Sequence, residues 1–268
     1  MHRLLILMSA ALVGTTATAQ EWAKARLEKS PRHLEWVKVK HDSREVNCFV
    51  AFPEVKEKAT AVLLIHEIFG LTDWVRGVAD QLAEAGYVAI APDLLSGSAP
   101  GGGGTAELGG GDGVRKAISS LPPAQITADL NSVLDYVAKL PASNGKVVVA
   151  GFCWGGGESF RFATSSKQIS AALVFYGIGP GNEDELKRIA CPVYGFYAGN
   201  DARVTQTVTK TSQLMQQAGK TYEPVTYEGA GHGFMRAGEQ PDAGAANKKA
   251  HDEAWERWKG LLKKLSNN

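Results

Sequence analysis

The stretch Val147-Val148-Val149-Ala150-Gly151-Phe152-Cys153-Trp154-Gly155-Gly156 decides how this chain folds. Lys146 to Ala150 is dominated by three β-branched valines, the composition of a strand buried on both faces. The strand runs straight into Gly-x-Cys-x-Gly, and a helix is expected from Gly155 to Thr164. This succession is the nucleophile-elbow pattern, with sulfur in place of the usual serine oxygen. A nucleophile at the end of a strand must stand on a sharp turn. Gly151 and Gly155 leave room for that backbone and for the helix to pack closely on the strand. The helix begins at the cysteine, so its positive end favours a thiolate. The competing reading is a buried structural cysteine in a glycine-rich turn.

Working outward, the flanking segments alternate in kind. Gln20 to Pro31 reads as a helical or irregular lead-in. His33 to Lys40 and Arg44 to Phe52 partly alternate and are expected to form an antiparallel hairpin. Buried strands are expected at Thr60–Ile65, Tyr87–Ala91, Ile169–Tyr176, Cys191–Ala198 and Tyr222–Tyr227. Helices are expected at Asp73–Ala85, Pro123–Leu140 and Val204–Ala218, with a closing amphipathic helix at Asn247–Leu265. Strand and helix alternate from Thr60 onward. That pattern implies a mostly parallel central sheet with helices on both faces, and with the hairpin at its N-terminal end. One segment stands out: Gly97 to Gly113 is rich in glycine. It lacks the Gly-Lys-Ser/Thr ending of a phosphate-binding loop. It is expected to be a flexible surface loop, or in a functional reading a lid.

Two more strand ends carry chemistry. Gly199-Asn200-Asp201 puts an acid just past a strand, where Asp201 could equally cap the next helix. Gly231-His232-Gly233-Phe234 puts a histidine between glycines just past the last strand. The order Cys153, Asp201, His232 is the nucleophile, acid, histidine order of the α/β-hydrolase fold. His232 is then the base partner of the thiol, and Asp201 orients its ring. In this fold the loop after the first buried strand supplies one oxyanion donor, assigned to the backbone N–H of Ile68. The other is the N–H of Trp154, directly after the nucleophile. Glu67 then falls near the thiol, the alternative being a solvated loop acid.

Composition bounds the rest. The 268 residues are 44% hydrophobic and 21% charged, ordinary for a globular chain that buries a sizeable core. Met1-His2-Arg3, the apolar run Leu4–Val13 and Ala17-Thr18-Ala19 have the parts of a secretory signal peptide, cut after Ala19. The apolar run is too short for a spanning helix of ~20 residues. Residues 20–268 are expected to be one domain, periplasmic or secreted, without a membrane span. Net charge is +1, and loss of Arg3 makes the mature chain neutral, which gives no footing for nucleic acid. Three cysteines exclude a disulfide framework. Cys48 and Cys191 read as buried, unpaired small hydrophobes.

With these residues in view, the chain resembles the dienelactone hydrolase family. The resemblance rests on His66-Glu67-Ile68-Phe69-Gly70, Gly151-Phe152-Cys153-Trp154-Gly155-Gly156, Gly199-Asn200-Asp201 and Gly231-His232-Gly233-Phe234. It runs from about Asp42 to Leu265. The resemblance implies hydrolysis of a small-molecule ester or lactone through an acyl-thioester on Cys153, with no cofactor and no metal. It implies that Glu67 helps control ionisation of the thiol, and that Arg236 binds a substrate carboxylate. The plainer alternative for Arg236 is a surface pair with an acid such as Glu239. The family's second carboxylate-binding arginine, after Pro92-Asp93-Leu94, has no counterpart before Arg115. Two other functions stay open: a broader carboxylesterase or thioesterase, and a non-catalytic binding protein on this scaffold. The expected state is a monomer, with a dimer as the alternative.

Overall fold

A computed structural model describes residues 20–267. The signal-peptide expectation lies outside the described residues. Eight strands form one sheet: β1 Leu34–His41, β2 Arg44–Ala51, β3 Ala59–Ile65, β4 Val88–Pro92, β5 Ser143–Phe152, β6 Ala171–Phe175, β7 Val193–Ala198 and β8 Tyr222–Tyr227. Their spatial order is β1-β2-β4-β3-β5-β6-β7-β8. The β1–β2 hairpin is antiparallel and adds to β4 antiparallel, while β4, β3, β5, β6, β7 and β8 run parallel. This is the α/β-hydrolase architecture that the strand and helix alternation implies.

The helices are α1 Glu21–Glu28, α2 Asp73–Glu84, α3 Gly111–Ser119, α4 Pro123–Ala138, α5 Trp154–Ser165, α6 Glu183–Leu186, α7 Ala202–Gln217, α8 Phe234–Ala237 and α9 Ala245–Asn267. β5 explains why both faces are covered. Its residues alternate between two cores, with Val148, Ala150 and Phe152 on one side and Val147 and Val149 on the other. The first core takes Trp74, Val78 and Leu82 from α2 and Trp258 and Leu262 from α9. The second takes Leu130 and Val133 from α4 and Phe160 and Phe162 from α5. Burying each such large side chain is worth roughly 1.5–3 kcal/mol. The apolar side of the closing helix is as expected, with Trp255, Leu261 and Leu265 packed at the margin of the first core.

The glycine-rich segment departs from expectation. It is not a continuous loop: a 3-10 turn forms at Ala106–Leu108, and α3 begins at Gly111. Asp93 ties it down, accepting from Thr105 N at 2.8 Å and from Thr105 Oγ1 at 2.7 Å. Apolar Val114 and Ile118 of α3 bury against Leu95. Helical spacing is present there, but the glycines conceal it. The chain leaves β3 for β4 on one side and returns to β5 on the other. A crevice therefore opens beyond the carboxyl ends of β3 and β5, where open α/β sheets bind their ligands.

Candidate active site

Cys153 stands at the end of β5 with φ 57° and ψ −116°, a backbone conformation that side chains other than glycine rarely adopt. Its N–H donates to Phe175 O at 3.0 Å, and its carbonyl accepts from Gly156 and Gly157 at 3.1 and 3.2 Å. Glycine is obligatory around it. A Cβ on Gly151 would collide with the carbonyl of Gly155, and one on Gly155 with the carbonyls of Ile65 and His66. The strain at Cys153 is thus held by backbone packed on backbone.

His232, in the turn between β8 and α8, bridges two partners. Its Nε2 lies 3.1 Å from Cys153 Sγ, and its Nδ1 lies 2.5 Å from Asp201 Oδ2. Asp201 sits at the N-terminus of α7, but its side chain makes no cap hydrogen bond there. The helix-cap alternative is therefore set aside in favour of the histidine. Asp201 is 7% exposed, so the carboxylate end of this bond is buried while the imidazole reaches solvent. Tyr176 packs edge-on against the imidazole with ring centroids 5.1 Å apart.

The sulfur is surrounded by opposing influences. Burial pushes the Cys153 thiol up, and the nearby Glu67 carboxylate pushes it further. Backbone N–H groups of Trp154 and Ile68 point at the sulfur and, with the Arg203 guanidinium, pull it back. The two backbone donors expected from the sequence both act on the Cys153 sulfur.

Glu67 is not a solvated loop acid. It is 2% exposed, and its Oε2 accepts from Arg236 Nε at 2.8 Å. Burial raises its pKa, and Arg236 opposes the rise. The Arg236–Glu239 pair is likewise replaced. Glu239 accepts instead from Trp74 Nε1 at 2.9 Å, from Gln81 Nε2 at 2.5 Å and from Arg26. Spacing alone could not separate these partners, because Glu67 and Arg236 meet across 169 residues.

Two cavities bear on the candidate residues, and only the first is lined by Cys153. One, of about 510 Å³, is lined by Cys153, Ile68, Trp154, Tyr176, Ile178 and Arg203, among others. The second, of about 560 Å³, is lined by Arg236, Phe69, Trp36, Arg76 and Arg115, with Thr105 and Gly110 of the glycine-rich segment. Arg236 stacks over the Phe69 ring at 5.3 Å. Sequence reasoning missed Arg115, Tyr176 and Arg203 as neighbours of the site. Arg203 follows Asp201 by two residues and Tyr176 ends a core strand, so position offered a signal for both. Arg115 offered none, since its helix went unread. Among the described residues no cluster of His, Cys, Asp and Glu suits a metal ion. The cysteines are free, with Cys48 buried and Cys191 partly so. Burial raises both thiols, Cys191 to about 11, so neither is poised to react.

Comparison with known proteins agrees with this architecture. The model of the dienelactone hydrolase family matches residues 46–266. A Saccharolobus solfataricus protein named "Putative carboxymethylenebutenolidase" is 29% identical over 259 residues, covering 84% of this chain and 96% of that one. The crystal structure of a "Putative Dienelactone Hydrolase" from Klebsiella pneumoniae superposes with a TM-score of 0.76 at 25% identity, over 87% of this chain and 98% of that one. P91, a "Dienelactone Hydrolase-like Promiscuous Phospotriesterase" from metagenomic libraries, shares the fold with a TM-score of 0.72 at 20% identity, over 87% of this chain and 98% of its own.

Proposed function

The chain belongs to the dienelactone hydrolase family, and from that premise we propose that it is an exported hydrolase that cleaves a small ester or lactone through Cys153, His232 and Asp201. The observation that carries this reading is the line Asp201 Oδ2, His232, Cys153 Sγ, with separations of 2.5 and 3.1 Å.

The steps follow from the geometry. His232 Nε2 takes the thiol proton, and the sulfur attacks the ester carbonyl carbon. The negative charge that moves onto the carbonyl oxygen is met by the N–H groups of Ile68 and Trp154. Collapse breaks the C–O bond, and the leaving alkoxide takes the proton from His232. Cys153 then holds the acyl group as a thioester. His232 next takes a proton from water, whose oxygen attacks the thioester, and the acid leaves with the thiol restored. Asp201 holds the ring so that Nε2 faces the sulfur and stabilises its charged form.

The substrate class is a carboxylate-bearing ester or lactone. What supports it is that Arg236, which holds Glu67, and Arg115 line one cavity. Glu67, held by Arg236, lies near the thiol, and its carboxylate form favours the protonated sulfur. The leader before Gln20 supports export, with cleavage after Ala19.

The test is release of p-nitrophenol from short acyl esters by the mature chain and by Cys153→Ala. Turnover should be present in the first, abolished by iodoacetamide, and absent in the second with circular dichroism unchanged. Retained turnover in a folded Cys153→Ala protein would refute the assignment.

A further inference from the structure

The proposed reaction leaves one charge beside the nucleophile without a task. Arg203 lies in the first turn of α7 and lines the same cavity as Cys153. It is solvent-exposed, and no ion pair among the described residues includes it. Its place is electrostatically poor, because a helix N-terminus already carries partial positive charge. Asp201, the acid nearest in sequence, is engaged with His232. Local stability therefore does not explain a guanidinium here.

The other charges of the cavity differ. Arg161 is committed to Glu158, with Nε to Oε2 at 2.7 Å, and to Thr127 Oγ1 at 2.9 Å. Glu185 is the one lining acid that no ion pair among the described residues includes. The walls between are apolar: Trp154, Pro180, and Ile178, which is 43% exposed. An apolar wall ending in an uncommitted guanidinium suits a ligand with an apolar body and an anionic end.

We propose that Arg203 is a specificity-determining residue that selects substrates carrying a carboxylate in the cavity lined by Cys153 and Ile178, distinct from the cavity of Arg236. The proposal rests on Cys153 being the nucleophile and deepens that reading. It implies an ester with negative charge on the part that enters this cavity. The Arg203 guanidinium also favours the ionised sulfur, which is consistent with its field reaching the reacting atom.

Alkylation of Cys153 tests it without the natural substrate. Iodoacetate and iodoacetamide attack the same sulfur and differ in charge, so their rate ratio at Cys153, read by mass spectrometry of the whole chain, reports the local field. Arg203→Gln should lower the iodoacetate-to-iodoacetamide ratio about threefold or more. Arg203→Lys should hold the ratio within about twofold of the parent, and Glu185→Gln should raise it. The gap between the parent and Arg203→Gln should narrow at about 1 M salt, because Arg203 is exposed. Equal ratios in the parent and Arg203→Gln would overturn the proposal while leaving the nucleophile intact. Failure of both reagents to modify Cys153 would overturn the nucleophile reading and this proposal with it.

Discussion

Replacing Arg236 by alanine should strand a carboxylate that the fold has already buried. The Glu67 side chain is 2% exposed, the Arg236 side chain is 24% exposed, and their contact is 2.8 Å. Removing one member of a buried pair costs about 3–5 kcal/mol, because the other is left desolvated without compensation. Partial exposure of Arg236 places this case at the low end, about 3 kcal/mol near neutral pH. For a chain of this size that is a fall of about 6–12 °C in Tm. The pH dependence has a definite sign. Burial holds the folded-state pKa of Glu67 above its unfolded value, and loss of Arg236 raises it further. Between the two values the folded state binds more protons, so stability falls as pH rises through that window. Below the unfolded value, about 4.3, the carboxyl is neutral in both states and the penalty vanishes. Thermal melts of the parent and Arg236→Ala should therefore lie closest near pH 5 and diverge toward pH 8. Adding Glu67→Gln should recover most of the lost Tm and flatten the divergence. A variant within about 2 °C of the parent at pH 8, or a double variant no better than the single, would refute the reasoning.

Asp201→Asn should keep the fold and lower kcat by up to about 10⁴-fold, the scale for losing the acid that orients a catalytic histidine; unchanged ester kinetics would remove Asp201 from the mechanism. Tyr176→Phe should leave stability unchanged or raise it by about 1–3 kcal/mol, because the buried hydroxyl has no hydrogen-bond partner among the described residues; a lower Tm would show a hidden partner. Arg236→Ala and Arg115→Ala should each lower kcat/KM for a carboxylate-bearing ester, relative to a matched neutral ester, by about 1.5–3 kcal/mol; equal losses on both esters would retire the carboxylate reading. Non-reducing peptide mass spectrometry should recover Cys48 and Cys191 unlinked, and a cross-link between them would contradict their placement on β2 and ahead of β7.

The legible parts of the sequence were those with strong local physics. Unbroken apolar runs such as Val147–Ala150 marked central strands, and the glycines flanking Cys153 marked a turn that only glycine tolerates. Asp201, His232 and Ile68 could be read because each lies a few residues past the carboxyl end of a strand, although β8, expected as a buried strand, is the sheet edge with only Tyr227 buried. The illegible parts depended on distance or on masked propensity. Helix α3 opens on Gly111 and Gly113, whose low helix propensity hides an otherwise amphipathic stretch. Glu239, three residues away, is the ion-pair partner that spacing offers Arg236 as an alternative to a substrate carboxylate, whereas the sheet brings Glu67 to it from the end of β3. Long-range ion pairs of this kind are decided by topology, which no spacing rule contains.

The elbow has a consequence beyond this reaction. Its shape is moulded by main-chain atoms: Gly151 against Gly155, Gly155 against the end of β3, and Gly156 against Phe175 O. None of those contacts involves the side chain at residue 153. The platform is therefore indifferent to which reactive atom it carries, and sulfur and oxygen are interchangeable parts as far as the backbone is concerned. Divergence in chemistry can then proceed at residue 153 and in the two cavity walls, while the three glycines stay closed to every side chain.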